Sequence, residues 1–303
     1  MLGPKTKNSI HGWLILDKPL GLTSTQAIGK ARRLLGGKKV GHGGTLDPLA
    51  TGILPLAFGE ATKLIPYVMD GDKSYEFTIR WGEQRSTDDG EGDVIKTSTK
   101  RPTEEAIKNA LPSFVGIISQ TPPIFSAIKL QGERAYDIAR SGGTPEMTAR
   151  EVEIFTLEYL GQLDPHHAKF RTSCGKGMYV RSLARDLAAK LGTCGHVSAL
   201  RRTAVGPFTL NNAITLKQLD DLEKSGGASS ALQPLQSALG NIPSLTLNAA
   251  EATRLRAGQG VLIRPQQLDL VEHPLIFTEY QGVAVAIVEP KAGELRVVRG
   301  FHF

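Results

Sequence analysis

Cysteine is nearly missing from this chain: Cys174 and Cys194 are the two in 303 residues. Two cysteines build no disulfide framework, and a reducing compartment is the natural reading. They build no zinc site either. There is no CxxC, no HExxH and no close Cys/His cluster, and His166-His167 and Cys194-Gly195-His196 lack the partners a tetrahedral site needs. No apolar run approaches the length that spans a bilayer. The opening MLGPKTKNSIHG lacks the apolar segment of a signal peptide, so a cytoplasmic protein is expected. No Gly-Lys-Ser/Thr follows the glycine-rich stretch at P-loop distance, and GHGGTL fails GxGxxG at its last position. Nucleotide-cofactor chemistry therefore has no motif here. Internal repeats and low-complexity tracts are also missing.

What is present is an ordinary globular composition, 40% hydrophobic and 22% charged. The length suits one large domain or two unequal ones with a sizeable core. Net charge is +6, and it is unevenly spread. Residues 1–63 carry nine Lys/Arg against Asp17, Asp47 and Glu60, an excess equal to that of the whole chain. Residues 169–202 carry eight basic residues against Asp186 alone. Clustered positive charge points to a polyanionic partner, nucleic acid first, with a solvated basic surface as the plainer reading.

Local patterns give the elements. Trp13–Leu16 reads as a buried strand that Asp17-Lys18-Pro19-Leu20-Gly21 breaks. Thr23 and Gln26 fit a capping box, Ala27, Ile28, Ala31, Leu34 and Leu35 follow at helical spacing, and Gly36 suits the position after the helix. Lys30, Arg32 and Arg33 fall off that apolar stripe, so the helix can pack and still show a basic face. Tyr75–Trp81 alternates as a strand, with Tyr75, Phe77, Ile79 and Trp81 on one face. The acidic GEQRSTDDGEGD after it reads as an exposed loop. Thr103–Leu111 reads as a helix, Val152–Leu160 and Ala168–Cys174 as strands, and Ser182–Leu191 as an amphipathic helix closed by Gly192. Between them, residues 124–150 look like an excursion from the core with a short helix near Arg134–Ser141. LEKSGGASSALQPLQSALGN resembles a linker. Short apolar runs beyond Ile242 suggest a small β-rich module.

Three residues carry candidate chemistry. GHGGTLDPLATG, residues 41–52, has neither a strand's alternation nor a helix's period, and it presents one carboxylate, Asp47. Capping a turn is the commoner role for Asp beside Pro and Gly. The other role is a nucleophile, kept ionised by a nearby cation. Arg181, where a strand hands over to a helix, is a candidate for that cation, or else a surface arginine at a helix start. Tyr75 is either a core tyrosine or a stacking surface for a base, with a hydroxyl able to take part in proton transfer.

LDKPLGLTS, GHGGTLDPLATGILPLAFGEATKL, KSYEF, PPIFSAIKLQGERAYDIARSG and GKGMYVRSLARDLAAKLG…HVSALRRTAVGPF occur here in one order. Over roughly residues 12–208 this set closely resembles the tRNA pseudouridine-55 synthase family of the bacterial TruB type. The C-terminal module resembles, more loosely, the PUA-like RNA-binding domain often appended to it. The resemblance implies an α+β pseudouridine synthase fold with a mixed, largely antiparallel sheet flanked by helices, plus a small PUA-like β domain. It implies a catalytic domain over residues 1–236, with an RNA-gripping excursion at 124–150, and an RNA-binding domain over 242–303.

The implied reaction turns uridine in the tRNA T loop into pseudouridine by base flipping, on a monomer without metal or cofactor. Attack at ribose C1′, attack at base C6 and elimination all stay open. Asp47 matches the family's essential aspartate, Arg181 the arginine that pairs with it, and Tyr75 the tyrosine stacked on the target base. Tyr179 and Leu200 match residues lining the uracil pocket. His42 matches the histidine that fills the space of the flipped base, and Lys18-Pro19 the motif behind the active-site loop. Gly43 departs from the family's more frequent threonine and is expected to loosen the loop. The rival reading is a tRNA-binding or RNA chaperone module without chemistry. A metal or nucleotide hydrolase lacks its ligands.

Overall fold

The structure, a computed structural model, describes residues 10–126, 128–130, 132–240 and 242–303. Most of the N-terminal segment read above, with Lys5 and Lys7, lies outside the described residues.

A ten-stranded mixed sheet carries the larger part of the chain. Its strands run in the order Ile214–Thr215, Gly12–Lys18, Ala50–Phe58, Gly195–Val205, Lys73–Trp81, His167–Cys174, Arg150–Asp164 and Gly116–Gln120. Val40–His42 and Phe208–Thr209 add to it at the side. Two pairings are parallel, Gly12–Lys18 with Ile214–Thr215 and Gly195–Val205 with Ala50–Phe58; the others are antiparallel. Alternation places Phe77, Ile79 and Trp81 in one core with Phe170, Leu183 and Leu187, and Tyr75 packs at its margin. The helix Val180–Lys190 lays Leu183, Ala184, Leu187 and Ala188 onto that core. The helix Ser24–Leu35 begins with the reciprocal Thr23/Gln26 capping box and ends at Gly36, whose φ of 74° is the left-handed conformation the stop requires. Its Lys30, Arg32 and Arg33 are exposed.

Three expectations are corrected. The first strand does not break at Asp17 but runs through Lys18, because Asp17 pairs with Arg201 at 2.7 Å and the Lys18 ammonium finds backbone carbonyls. The apparent linker is packed. Leu235, Ala238 and Leu239 are buried with Trp13 and Phe208, and Trp13 exchanges backbone hydrogen bonds of 2.8 and 2.9 Å with Gln233. Each such buried leucine contributes about 1.5–3 kcal/mol, which polar, small-residue composition around it concealed. The acidic stretch after Trp81 is not an exposed loop but a hairpin, Glu83–Arg85 against Val94–Thr97, with Asp88 and Asp89 buried at its tip.

A second, five-stranded sheet is built from residues 244–300 and forms a small C-terminal β domain. It does not hang free: Phe277, Ala284, Ile287 and Phe301 share a core with Trp13, Ile15 and Leu64, and Lys63 Nζ donates to Gly300 O at 2.8 Å. No helix among the described residues is long and apolar enough to cross a membrane.

Candidate active site

Six of the eight candidate residues meet in one cleft of about 980 Å³: His42, Asp47, Tyr75, Tyr179, Arg181 and Leu200. They come from four separate parts of the chain. The sheet brings them together by setting strand Gly195–Val205 beside Lys73–Trp81, so that Leu200 and Tyr75 lie on neighbouring strands. The loop before Ala50 supplies His42 and Asp47. The start of the helix Val180–Lys190 supplies Tyr179, its capping residue, and Arg181. The volume lies at the large end of ligand clefts and exceeds what one nucleoside needs.

At the centre, Arg181 Nη2 lies 3.0 Å from Asp47 Oδ2. The arginine side chain is 7% exposed, the aspartate 39%. One partner is thus fixed by the protein and the other is open to the cleft. Arg181 is held on its remaining sides by Thr87 O at 3.0 Å, by Phe125 O at 2.9 Å and by the Asp89 carboxylate at 3.6 Å. Asp89 is 2% exposed, and both it and Thr87 belong to the hairpin misread as an exposed loop. The neighbouring Asp88 pairs with Arg185 at 2.8 Å, one helical turn beyond Arg181. Burial pushes the Asp88 carboxyl up, and Arg185 opposes that. Asp88 O accepts from Val197 N at 3.1 Å, which ties the hairpin tip to the central sheet. Sequence reasoning missed Asp89 because its meaning comes from Arg181, 92 positions away. The faint signal was two adjacent acids followed by glycine in a protein otherwise rich in positive charge.

The loop is shaped as much from behind as from the cleft. Lys18 is wholly buried, and its Nζ donates to Leu22 O at 2.7 Å, Pro19 O at 3.0 Å and Pro48 O at 3.5 Å. It does not line the cleft, and neither does Pro19. Burial lowers the Lys18 pKa, and the charge of Asp47 opposes that. Ser24 Oγ exchanges hydrogen bonds with the backbone of Leu46 at 2.8 and 2.9 Å. Gly43 is not loose. Its N donates to Pro55 O at 2.9 Å, and an added Cβ would meet Val68 Cγ1 at 2.5 Å. Val68 occupies the room a larger residue would take.

The other cleft residues are set in the same manner. Gln120 clamps Tyr179, accepting from its N at 2.8 Å and donating to its O at 3.2 Å. Arg150 lies over the Tyr179 ring, 5.4 Å from its centroid. His42 Nδ1 accepts from Gly44 N at 3.3 Å, and burial lowers its pKa. Burial also raises the Tyr75 phenol, while the charge of Arg202 acts the other way. A carboxylate open to the cleft beside a buried arginine, with an aromatic ring in the same cleft, suits nucleophilic or electrostatic attack on a planar substrate. Among the described residues, no group of three or more His, Cys, Asp or Glu side chains could hold a metal ion.

The model of the TruB family pseudouridylate synthase N-terminal domain matches residues 32–180, and that of the tRNA pseudouridylate synthase B C-terminal domain matches residues 181–240. The chain is 50% identical to the tRNA pseudouridine synthase B of Agrobacterium fabrum, over 96% of its own length and 95% of that protein's. It is 47% identical to the protein of the same name from Caulobacter vibrioides, over 98% of each. Among solved structures, a chain of a Cbf5-Nop10-Gar1 complex superposes with a TM-score of 0.72 at 25% identity, covering 96% of this chain and 85% of that one. An archaeal box H/ACA Nop10-Cbf5 complex, at 22% identity and a TM-score of 0.70, shares the fold over 99% of this chain and 89% of that one. Motifs, cleft and relatives agree: the chain belongs to the TruB family of pseudouridine synthases.

Proposed function

We propose that this protein isomerises uridine to pseudouridine at position 55, in the T loop of tRNA, and that the Asp47 carboxylate carries the reaction. The observation behind this reading is the Asp47–Arg181 pair at 3.0 Å, buried on the arginine side and open on the aspartate side. A stacked uridine hides the atoms involved, so the nucleotide must be flipped into the cleft. There the bond from N1 to C1′ breaks, the uracil turns, and C5 bonds to C1′. N1 gains a proton and C5 loses one, so the change is an isomerisation and needs no redox partner. Asp47 serves as nucleophile, with ribose C1′ attack, base C6 attack and elimination as the open paths. Arg181 pairs with it and aims it. Tyr75 stacks on the base and moves a proton. Tyr179 and Leu200 line the uracil slot, His42 takes the place the base leaves, and Lys18-Pro19 supports the loop.

The exposed Lys30, Arg32 and Arg33 support an RNA partner held mainly by phosphate contacts. The separate sheet over residues 244–300 supports a division into a catalytic domain, 1–236, and a PUA-like RNA-binding domain, 242–303. Residues 124–150 are the RNA-gripping excursion in this reading. A monomer working in the cytoplasm without metal or cofactor completes it, and two free thiols fit that compartment.

Mapping pseudouridine in unmodified tRNA after incubation with the purified protein is the test. Conversion at position 55 is expected, and a T-arm hairpin is expected to suffice as substrate, with binding that weakens steeply as salt rises. Tight tRNA binding with no pseudouridine would instead be the behaviour of a binding module.

A further inference from the structure

Arg202 is 3% exposed, beneath the floor of the cleft. It sits between two strands, paired in register with Tyr75 on one side and Gly52 on the other. Its guanidinium donates to three backbone carbonyls: Nε to Ile53 O at 2.8 Å, Nη2 to Gly44 O at 3.0 Å and Nη1 to Thr45 O at 3.2 Å. Two of these belong to the turn just before Asp47. Among the described residues no carboxylate comes within ion-pair distance of it. A buried cation without a contacting counter-ion is costly, and holding strands together does not require one.

The backbone around this residue is close-set. Gly52 has a φ of +99°, and a Cβ there would lie 2.1 Å from Arg202 O, so only glycine lets the two strands come this close. Gly44 has a φ of +118°, a conformation that L side chains rarely adopt, and its carbonyl turns inward to the guanidinium. Register pairing puts the Tyr75 side chain on the same face as Arg202, directly across from it on the neighbouring strand. One rigid, planar fork is therefore bonded to the loop before Asp47 and stands beside Tyr75.

We infer that Arg202 is a positioning residue of the active site: its guanidinium fixes the Asp47 loop and the Tyr75 ring at a set separation, so that a flipped uridine enters a slot of preset width. The inference rests on the proposed function. It follows that Arg202 acts on the chemical step and not on RNA affinity. A misplacement of about 1 Å between reacting groups costs on the order of 10²-fold in rate.

Arg202→Met removes all the donors at similar length. Arg202→Lys keeps a buried positive charge, so it is the variant expected to retain the fold, but it cannot reach three carbonyls at once. Single-turnover pseudouridine formation is measured on a T-arm hairpin, normalised to the folded fraction from melting curves, beside the hairpin Kd. Arg202→Met is expected to slow turnover about 10²-fold and Arg202→Lys about 10-fold, each with Kd within about threefold of wild type. Wild-type rates per folded molecule with a lowered Tm would overturn the inference. So would a weakened Kd at an unchanged rate, which marks a direct RNA contact, or loss of the fold in both variants. Wild-type protein run alongside separates the two claims: no product from it contradicts the proposed function itself, whereas product from it at the same rate as from both variants contradicts the role of Arg202 alone.

Discussion

Two segments meet Arg181 through different guanidinium nitrogens, and they differ in almost every respect. The loop over residues 42–47 is glycine-rich and carries one carboxylate, which is 39% exposed. The hairpin over residues 83–97 is rich in acids, and Asp88 and Asp89 at its tip are 6% and 2% exposed. Both segments place an oxygen of an aspartate against the same guanidinium, at 3.0 and 3.6 Å. The exposed carboxylate is free to meet a substrate. The buried one is held among Arg181, Thr87 Oγ1 and Glu91 N. In the proposed reading, exposure, more than proximity to the cation, separates the reacting group from its support.

If that division is right, the shared cation matters most. Arg181→Met leaves Asp47 unaimed and Asp89 buried without its partner. Single-turnover pseudouridine formation is expected to fall by roughly 10²- to 10³-fold, with tRNA Kd nearly unchanged. A rate close to wild type would show that the two carboxylates do not work through Arg181.

Asp89→Asn sharpens the contrast from the hairpin side. The amide can still accept from Glu91 N, now 3.0 Å away, but it no longer offsets the arginine charge. The expected outcome is a loss of about 1–3 kcal/mol in stability with roughly a 10-fold slower chemical step. Urea melts and single-turnover rates on the same preparation read both. Unchanged stability with abolished activity would make Asp89 a second reacting group and dissolve the distinction.

The smallest effect concerns pH. The ring of His196 is buried under the hairpin, with Nδ1 2.9 Å from Glu83 O, and burial lowers its pKa from the ordinary 6.5. His42, in the loop, is lowered for the same reason. The unfolded chain therefore takes up these protons before the folded one does. Stability is full above about pH 6.5 and falls as pH drops from there through the lowered folded values. His196→Gln keeps a donor to Glu83 O and removes one titration. Thermal melts between pH 7.5 and 5.5 are expected to show a shallower acid limb for the variant. An identical limb would place the acid sensitivity elsewhere.

The legible parts of this molecule are those whose cause lies within a few residues. The Thr23/Gln26 capping box, the Gly36 stop and the alternation of Tyr75 with Phe77, Ile79 and Trp81 all depend on local geometry, and the structure has them. The bare loop around Asp47 stood out because nothing nearby explained it. Asp89 and Arg202 did not stand out, because an acid in an acidic hairpin and an arginine in a basic strand look like surface charge. Their partners, Arg181 and the carbonyls of residues 44, 45 and 53, become neighbours only when the sheet forms. The stretch from Leu222 to Asn241 misled for a related reason. Its polar, small residues read as a linker, while Leu235 and Leu239 were already placed to be covered by Trp13 and Phe208.

The account stands on Asp47 as the reacting group, and Asp47→Asn tests that most directly. The substitution keeps size and one hydrogen-bonding oxygen while removing the nucleophile. Single-turnover assays on a T-arm hairpin are predicted to give no pseudouridine above background, with Kd within about threefold of wild type and no loss of Tm. Product forming at more than roughly a hundredth of the wild-type rate, with deamidation of the asparagine excluded by mass spectrometry, would contradict it.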